Sequence, residues 1–203
     1  MSFQGVTSGF PTARPGLATL VQEARAELIM RESAHLYGAR YARAHGLDWQ
    51  AIGNEAGMLA VLPARYYPPG RFDLDDDGDL SAIVETFDRD GATVCDLVAW
   101  RVADPGRPAS MFGRAALLGA WHAFNPATYY RGGRLTIFAS PLAWLRAGGR
   151  GVAIIHPEAA ARTLLEAPGG FLADEPLATD LARLIASAAR EERDWQPEQR
   201  HAS

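Results

Sequence analysis

Two alternating apolar runs, Leu80 to Asp88 and Thr93 to Val102, are joined by Arg89-Asp90-Gly91. A period of two suits strands with one buried face, and Asp-Gly between such runs suits a tight turn. The segment predicts an antiparallel hairpin, so whatever this chain folds into must contain a sheet. A second β signal lies further on. Leu135–Ala139 and Val152–Ile155 are short apolar runs flanking Pro141–Ala147, which has Ser140 as N-cap and proline at the first helical position. That order predicts a small βαβ unit with a brief crossover.

Helical periodicity surrounds these strands. Leu17, Leu20, Val21, Ala24, Leu28 and Leu36 recur at helical spacing, with Glu23, Arg25, Glu27, Arg31 and Glu32 on the other side. This predicts one long helix from Leu17 to Ala44, stopped by Gly46. A short helix from Asp48 to Glu55 follows, capped by Asp48. Met58–Leu62 reads as a short strand before Pro63, Pro68 and Pro69 impose an irregular segment. Spacing at Phe112, Ala115, Ala116 and Gly119 predicts a helix over Met111–Trp121. Helices over Glu158–Ala167 and Leu177–Arg193 close the chain. The fold class is α+β: a hairpin and a βαβ unit in about a five-strand sheet, packed with a long N-terminal helix and C-terminal helices. Residues 1–16 read as a flexible arm, 17–193 as a single globular domain, and 194–203 as a frayed tail.

Composition sets the outer limits. At 203 residues, with 48% apolar and 22% charged residues, the chain can bury a core without staples. Cys95 is the only cysteine, which excludes an intramolecular disulfide and suits a reducing, cytoplasmic setting. No run approaches the roughly 20 apolar residues that span a bilayer, so no membrane association is expected.

All 20 basic residues other than histidine are arginines. Together with the alanine runs at 159–161 and 188–189, that bias fits a GC-rich coding sequence. Its distribution is uneven as well. Residues 101–150 hold seven arginines against one acid, Asp104, whereas residues 71–100 hold two arginines against nine acids. The net charge of −4 conceals a basic stretch beside an acidic one. Arg114, Arg131, Arg134, Arg146 and Arg150 are the candidate binding residues, because guanidinium forks grip phosphate and carboxylate.

Candidate sites for other chemistry are few. Asp73, Asp75, Asp77 and Asp79 alternate around Gly78 as in a calcium loop, but the twelfth position holds Val84 where a bidentate glutamate is needed. A solvated acidic turn is the expected role. Leu47–Met58 resembles the opening of a helix-turn-helix, yet it runs into Leu62-Pro63 where a recognition helix would have to continue. His122 lies in an aromatic stretch with Asn125, Tyr129, Tyr130 and Arg131, a combination that can line an anion pocket. His156 follows a strand and precedes a helix, a frequent position for α/β sites. His122, Tyr130 and His156 are therefore the candidate catalytic residues. No P-loop, dinucleotide fingerprint, nucleophile elbow or paired-histidine motif occurs, and no cofactor is expected.

The stretch Leu135–His156 resembles the first β-α-β segment of Toprim domains, found in primases and topoisomerases. In that family the first strand ends in a catalytic glutamate; the corresponding residue here is Ala139, and no Asp-x-Asp follows the next strand. The segment Asp96–His156 is also similar to uncharacterised proteins of GC-rich bacteria, often encoded in mobile or phage-derived regions. Three readings stand. One is a non-catalytic binding or regulatory protein that contacts an anionic partner, protein or nucleic acid, through its arginines. The others are a small-molecule enzyme with a pocket around His122 and His156, and a structural subunit of a homo-oligomer.

Overall fold

The structure is a computed structural model that describes residues 16–175 and 177–195. The class is α+β, and the strands form two sheets. The first is a closed five-strand barrel of β1 (Leu59–Tyr67), β2 (Arg71–Leu74), β3 (Asp79–Phe87), β4 (Val94–Arg101) and β5 (Asp104–Ser110). Its order is β1-β2-β5-β4-β3, closed by β3 against β1. Neighbours are antiparallel except β2 and β5, which run parallel at Arg71 and Ser110. The expected hairpin is the β3–β4 pair. Asp90 folds its turn by accepting from the amides of Ala92 and Thr93 and from the Thr93 hydroxyl. These bonds hold its carboxyl down at about 2.

The second sheet has four strands in the order β6-β8-β7-β9: β6 (Leu117–Leu118), β7 (Leu135–Phe138), β8 (Val152–Ile154) and β9 (Phe171–Ala173). Here β7, α4 (Pro141–Arg146) and β8 make the expected βαβ unit with parallel strands. Ser140 Oγ accepts from the Ala143 amide at 3.2 Å to start α4. The βαβ unit thus sits in a sheet separate from the hairpin's.

One apolar cluster joins the two sheets. Side chains alternate across a strand. Leu59, Val61, Val84, Val98 and Trp100 accordingly leave the outer face of the barrel and meet Leu118, Ala153, Ile155, Trp144 and Leu145 from the second sheet and α4. The opposite parity, Ala60, Leu62, Ile83, Leu97 and Ala99, packs with Phe72 and Ala109 and with Leu28 and Ala34 from the N-terminal helices. Behind the second sheet, Leu117, Leu135, Ile137 and Val152 pack on α5 (Pro157–Leu165) and α6 (Leu177–Trp195).

Several expectations need correction. The N-terminal helix is broken at Arg31 (φ −85°, ψ 85°) into α1 (Leu17–Met30) and α2 (Glu32–Ala44). The break lets Leu28 and Ala34 join one cluster while Tyr41 and Ala42 join the other. Pro63 does not end β1: it pairs opposite Leu80, and its carbonyl still accepts from the Asp75 amide. No helix spans 111–121. Asp96, fully buried, accepts there from the amides of Phe112, Arg114 and Ala115, which holds the backbone in a loop. The short helix α3 (Trp49–Glu55) is capped by Asp48 as expected and leads into β1 rather than into a second helix; its Ile52 packs in the core. The expected arm, up to residue 15, and the tail from residue 196 lie outside the described residues. No helix among the described residues is long and apolar enough to cross a membrane.

Candidate anion-binding cleft

Parallel pairing of β7 and β8 sets Ile137 opposite Val152, so the residues just before each strand lie side by side at one edge of the second sheet. Those residues include Arg134 and Arg150. Two 3₁₀ segments, Ala120–Ala123 and Pro126–Gly132, cross the same edge, and the C-terminal end of α3 reaches it with Glu55. Together they line a cleft of about 510 Å³ that includes Glu55, His122, Asn125, Arg134, Thr136 and Arg150.

At the back of the cleft, His122 Nε2 lies 3.0 Å from Glu55 Oε2, with side chains 11% and 20% exposed. A carboxylate only accepts, so Nε2 carries a proton and Nδ1 is the nitrogen that titrates. The ring stacks on Trp121 at 3.7 Å. Burial pushes the imidazole below its ordinary 6.5, and the nearby Arg150 pushes the same way; Glu55 and a backbone hydrogen bond at Gly149 oppose them. Glycine at 149 is required here, because a Cβ would lie 2.4 Å from that of Glu55. The loop is tied from below by Trp144 Nε1, which donates to the Gly151 carbonyl at 3.0 Å.

The free hydrogen-bonding capacity of the cleft is mostly that of donors. Asn125 Oδ1 accepts from the Ala127 amide, which turns the donor end of its side chain free for a ligand. Thr128 is used internally, donating to the His122 carbonyl at 2.8 Å. Arg134 and Arg150 are both exposed. With His122 neutral, two arginines and one glutamate leave the cleft a formal charge of +1.

The five arginines singled out from sequence divide accordingly. All are exposed, and none makes an ion pair with another described residue, whereas Arg101 and Arg107 pair with Asp79 and Asp104. Arg134 and Arg150 share the cleft. Arg131 lies over the Tyr130 ring, and Arg146 Nη2 lies 3.5 Å from His45 Nδ1. Arg114 flanks the loop held by Asp96.

The three candidate catalytic residues do not share a site. Tyr130 is 70% exposed and outside the cleft lining. His156 Nε2 lies 2.7 Å from Ser110 Oγ, and Ser110 is fully buried at the end of β5. Burial pushes His156 below its ordinary value as well. The pair is a bridge between the barrel and the second sheet, since a nucleophile sealed from solvent cannot meet a substrate. Of the candidate aspartates of the acidic turn, Asp73, Asp75 and Asp79 are engaged elsewhere, and Asp77 is exposed and gives only its amide, to Asp75 Oδ1. Asp75 pairs with Arg65 at 2.8 Å and Asp79 with Arg101 at 2.6 Å, while Asp73 accepts from the Leu74 amide. No group of three or more metal-ligating side chains converges among the described residues.

Sequence reasoning missed Glu55. It stands 67 residues from His122, and nothing local links them. The one available signal was the glycine run around Arg150, which marks a place where another element comes close. No protein-family model, curated protein or solved structure matches the chain.

Proposed function

We propose that the protein is a non-catalytic binding or regulatory protein that recognises an anionic group of its partner in the Arg134–Arg150 cleft. The convergence of two arginines that have no carboxylate partner among the described residues, at one edge of a sheet, carries the reading. Each fork can give a charge-assisted hydrogen bond, and Asn125 adds a neutral donor. Glu55 and His122 form the rigid wall of the cleft. The single thiol, Cys95, agrees with a reducing, cytoplasmic setting.

The test is fluorescence anisotropy with two labelled probes, a single-stranded oligonucleotide and a polyglutamate peptide. Binding of either supports the reading, and the one preferred tells whether phosphate or carboxylate is read. Affinity for the oligonucleotide should fall steeply with salt. Arg134→Ala and Arg150→Ala should each weaken binding about tenfold or more, the worth of a hydrogen bond to a charged group. Binding of neither probe contradicts the reading.

The Glu55–His122 dyad favours a second reading, an enzyme in which Glu55 orients His122 as general acid or base. In that case His122→Asn abolishes turnover of a bound anionic substrate and leaves its affinity intact.

A further inference from the structure

Glu85 is an acidic side chain placed where stability does not ask for one. It follows Ser81 and Ile83 along one face of β3, the face that fills the barrel, and it is only 2% exposed. Arg25 from α1 pairs with it through Nε. A buried pair of this kind gains little over two packed apolar residues, because desolvation cancels most of the attraction. The backbone comes close to its carboxyl end at Gly57. At Gly57, with φ +63°, a Cβ would lie 2.1 Å from Glu85 Oε2.

The pair does not close a core; it lines a cavity of about 500 Å³ between α1, α3 and the mouth of the barrel. Arg25 is 39% exposed, pairs with Glu85 through Nε, and lines the cavity with its guanidinium still able to donate from its terminal nitrogens. The remaining walls are mixed: Ile29, Trp49, Ile52, Met58 and Phe87 supply apolar and aromatic surface, and Gln22, His35 and Thr93 add polar side chains. A volume of this size, with an apolar side and a polar one, can take a small molecule.

Charge then selects the ligand. One guanidinium and one carboxylate sum to zero, so the cavity favours neither a simple anion nor a simple cation. A dipolar ligand gains at both ends, its cationic group on Glu85 and its anionic group on Arg25. An α-amino acid carries both on one carbon, close enough to meet the paired charges together, and its side chain falls to the apolar wall. We infer that this cavity is a binding site for a free α-amino acid with an apolar or aromatic side chain, independent of the Arg134–Arg150 cleft.

The experiment is calorimetric titration and thermal shift of the full chain with free L-phenylalanine, L-leucine and L-methionine. N-acetyl-L-phenylalanine and L-phenylalanine amide serve as blocked controls. At least one free amino acid should bind and raise the melting temperature, and either block should weaken binding about tenfold or more. Glu85→Gln should abolish binding; should that variant fail to fold, Trp49→Ala, which leaves the ion pair in place, should weaken it with the circular dichroism spectrum unchanged. No binding of any free amino acid overturns the proposal. Equal binding of the blocked forms overturns it too, since the cavity would then be reading only the apolar part.

Discussion

Ser110 Oγ and His156 Nε2, 2.7 Å apart, tie the last barrel strand to the end of β8. Outside the protein such a pair would suggest a nucleophile and its base, but Ser110 is fully buried, so the bond acts as a structural bridge. Ser110→Ala should therefore lower stability by about 1 kcal/mol, the usual net worth of a buried hydrogen bond. A fluorophosphonate probe should leave Ser110 unlabelled. Labelling at Ser110, read by peptide mass spectrometry, would contradict the structural role.

Stability should depend on pH through the two half-buried histidines, His122 and His156. Burial lowers both His122 and His156 below the 6.5 of an exposed imidazole. The unfolded chain then binds more protons than the native one across the interval below 6.5, so stability rises with pH there. It is fully present above the unfolded value and is lost as pH falls through the folded values. Urea midpoints should be flat from pH 7 to 8 and drop between pH 6.5 and 5, and replacing either histidine with Gln should shallow that drop. A midpoint that rises on acidification over this interval would contradict the assignment.

Asp96 holds the 111–115 loop by accepting three of its amides, beside its bond to the Leu97 amide. Asp96→Asn replaces an accepting oxygen by a donating group that faces amide donors. A loss of about 3–5 kcal/mol is expected, the range for breaking a buried charged network. Thermal melts of the variant check it; a melting temperature within a degree or two of wild type would contradict the role.

Cys95 should be inert. Burial, with Asp88 and Asp96 nearby, pushes its thiol up to about 11, which leaves almost no thiolate at neutral pH. Iodoacetamide at pH 7.5 should modify the native protein far more slowly than the urea-unfolded chain. Equal rates would contradict the placement.

Legibility in the sequence followed locality. The hairpin could be read because Asp90-Gly91 and the alternation on both sides lie within one short segment, and α4 because Ser140-Pro141 announces its start. By contrast, β5 runs Asp-Pro-Gly-Arg-Pro-Ala-Ser, and its strand character comes from β2 and β4 on either side. Residues 111–121 carry helical spacing, yet Gly113 sits at φ +72° and the Asp96 carboxylate claims the amides a helix would use. The site followed the same rule. Arg134 and Arg150 were visible as unpaired charge, but that they meet depends on the β7–β8 register, and Glu55 joins them only through the packing of α3.

Anion binding in the cleft should also be linked to protons. A bound anion favours the protonated form of His122, so affinity should rise as pH falls from 7.5 to 5.5, and binding should take up protons. Calorimetry in two buffers of different ionisation enthalpy measures that uptake, and release of protons on binding would contradict it.

The most direct test compares two double variants for binding of the preferred anionic probe. Arg134→Ala with Arg150→Ala removes the two arginines that meet in the cleft, and Arg101→Ala with Arg107→Ala removes two that are already paired with aspartates. Both lower the net charge equally, so bulk electrostatics alone would weaken them alike. The account predicts that the first loses binding and the second keeps it within about threefold; equal losses, or a larger loss in the second, would contradict it.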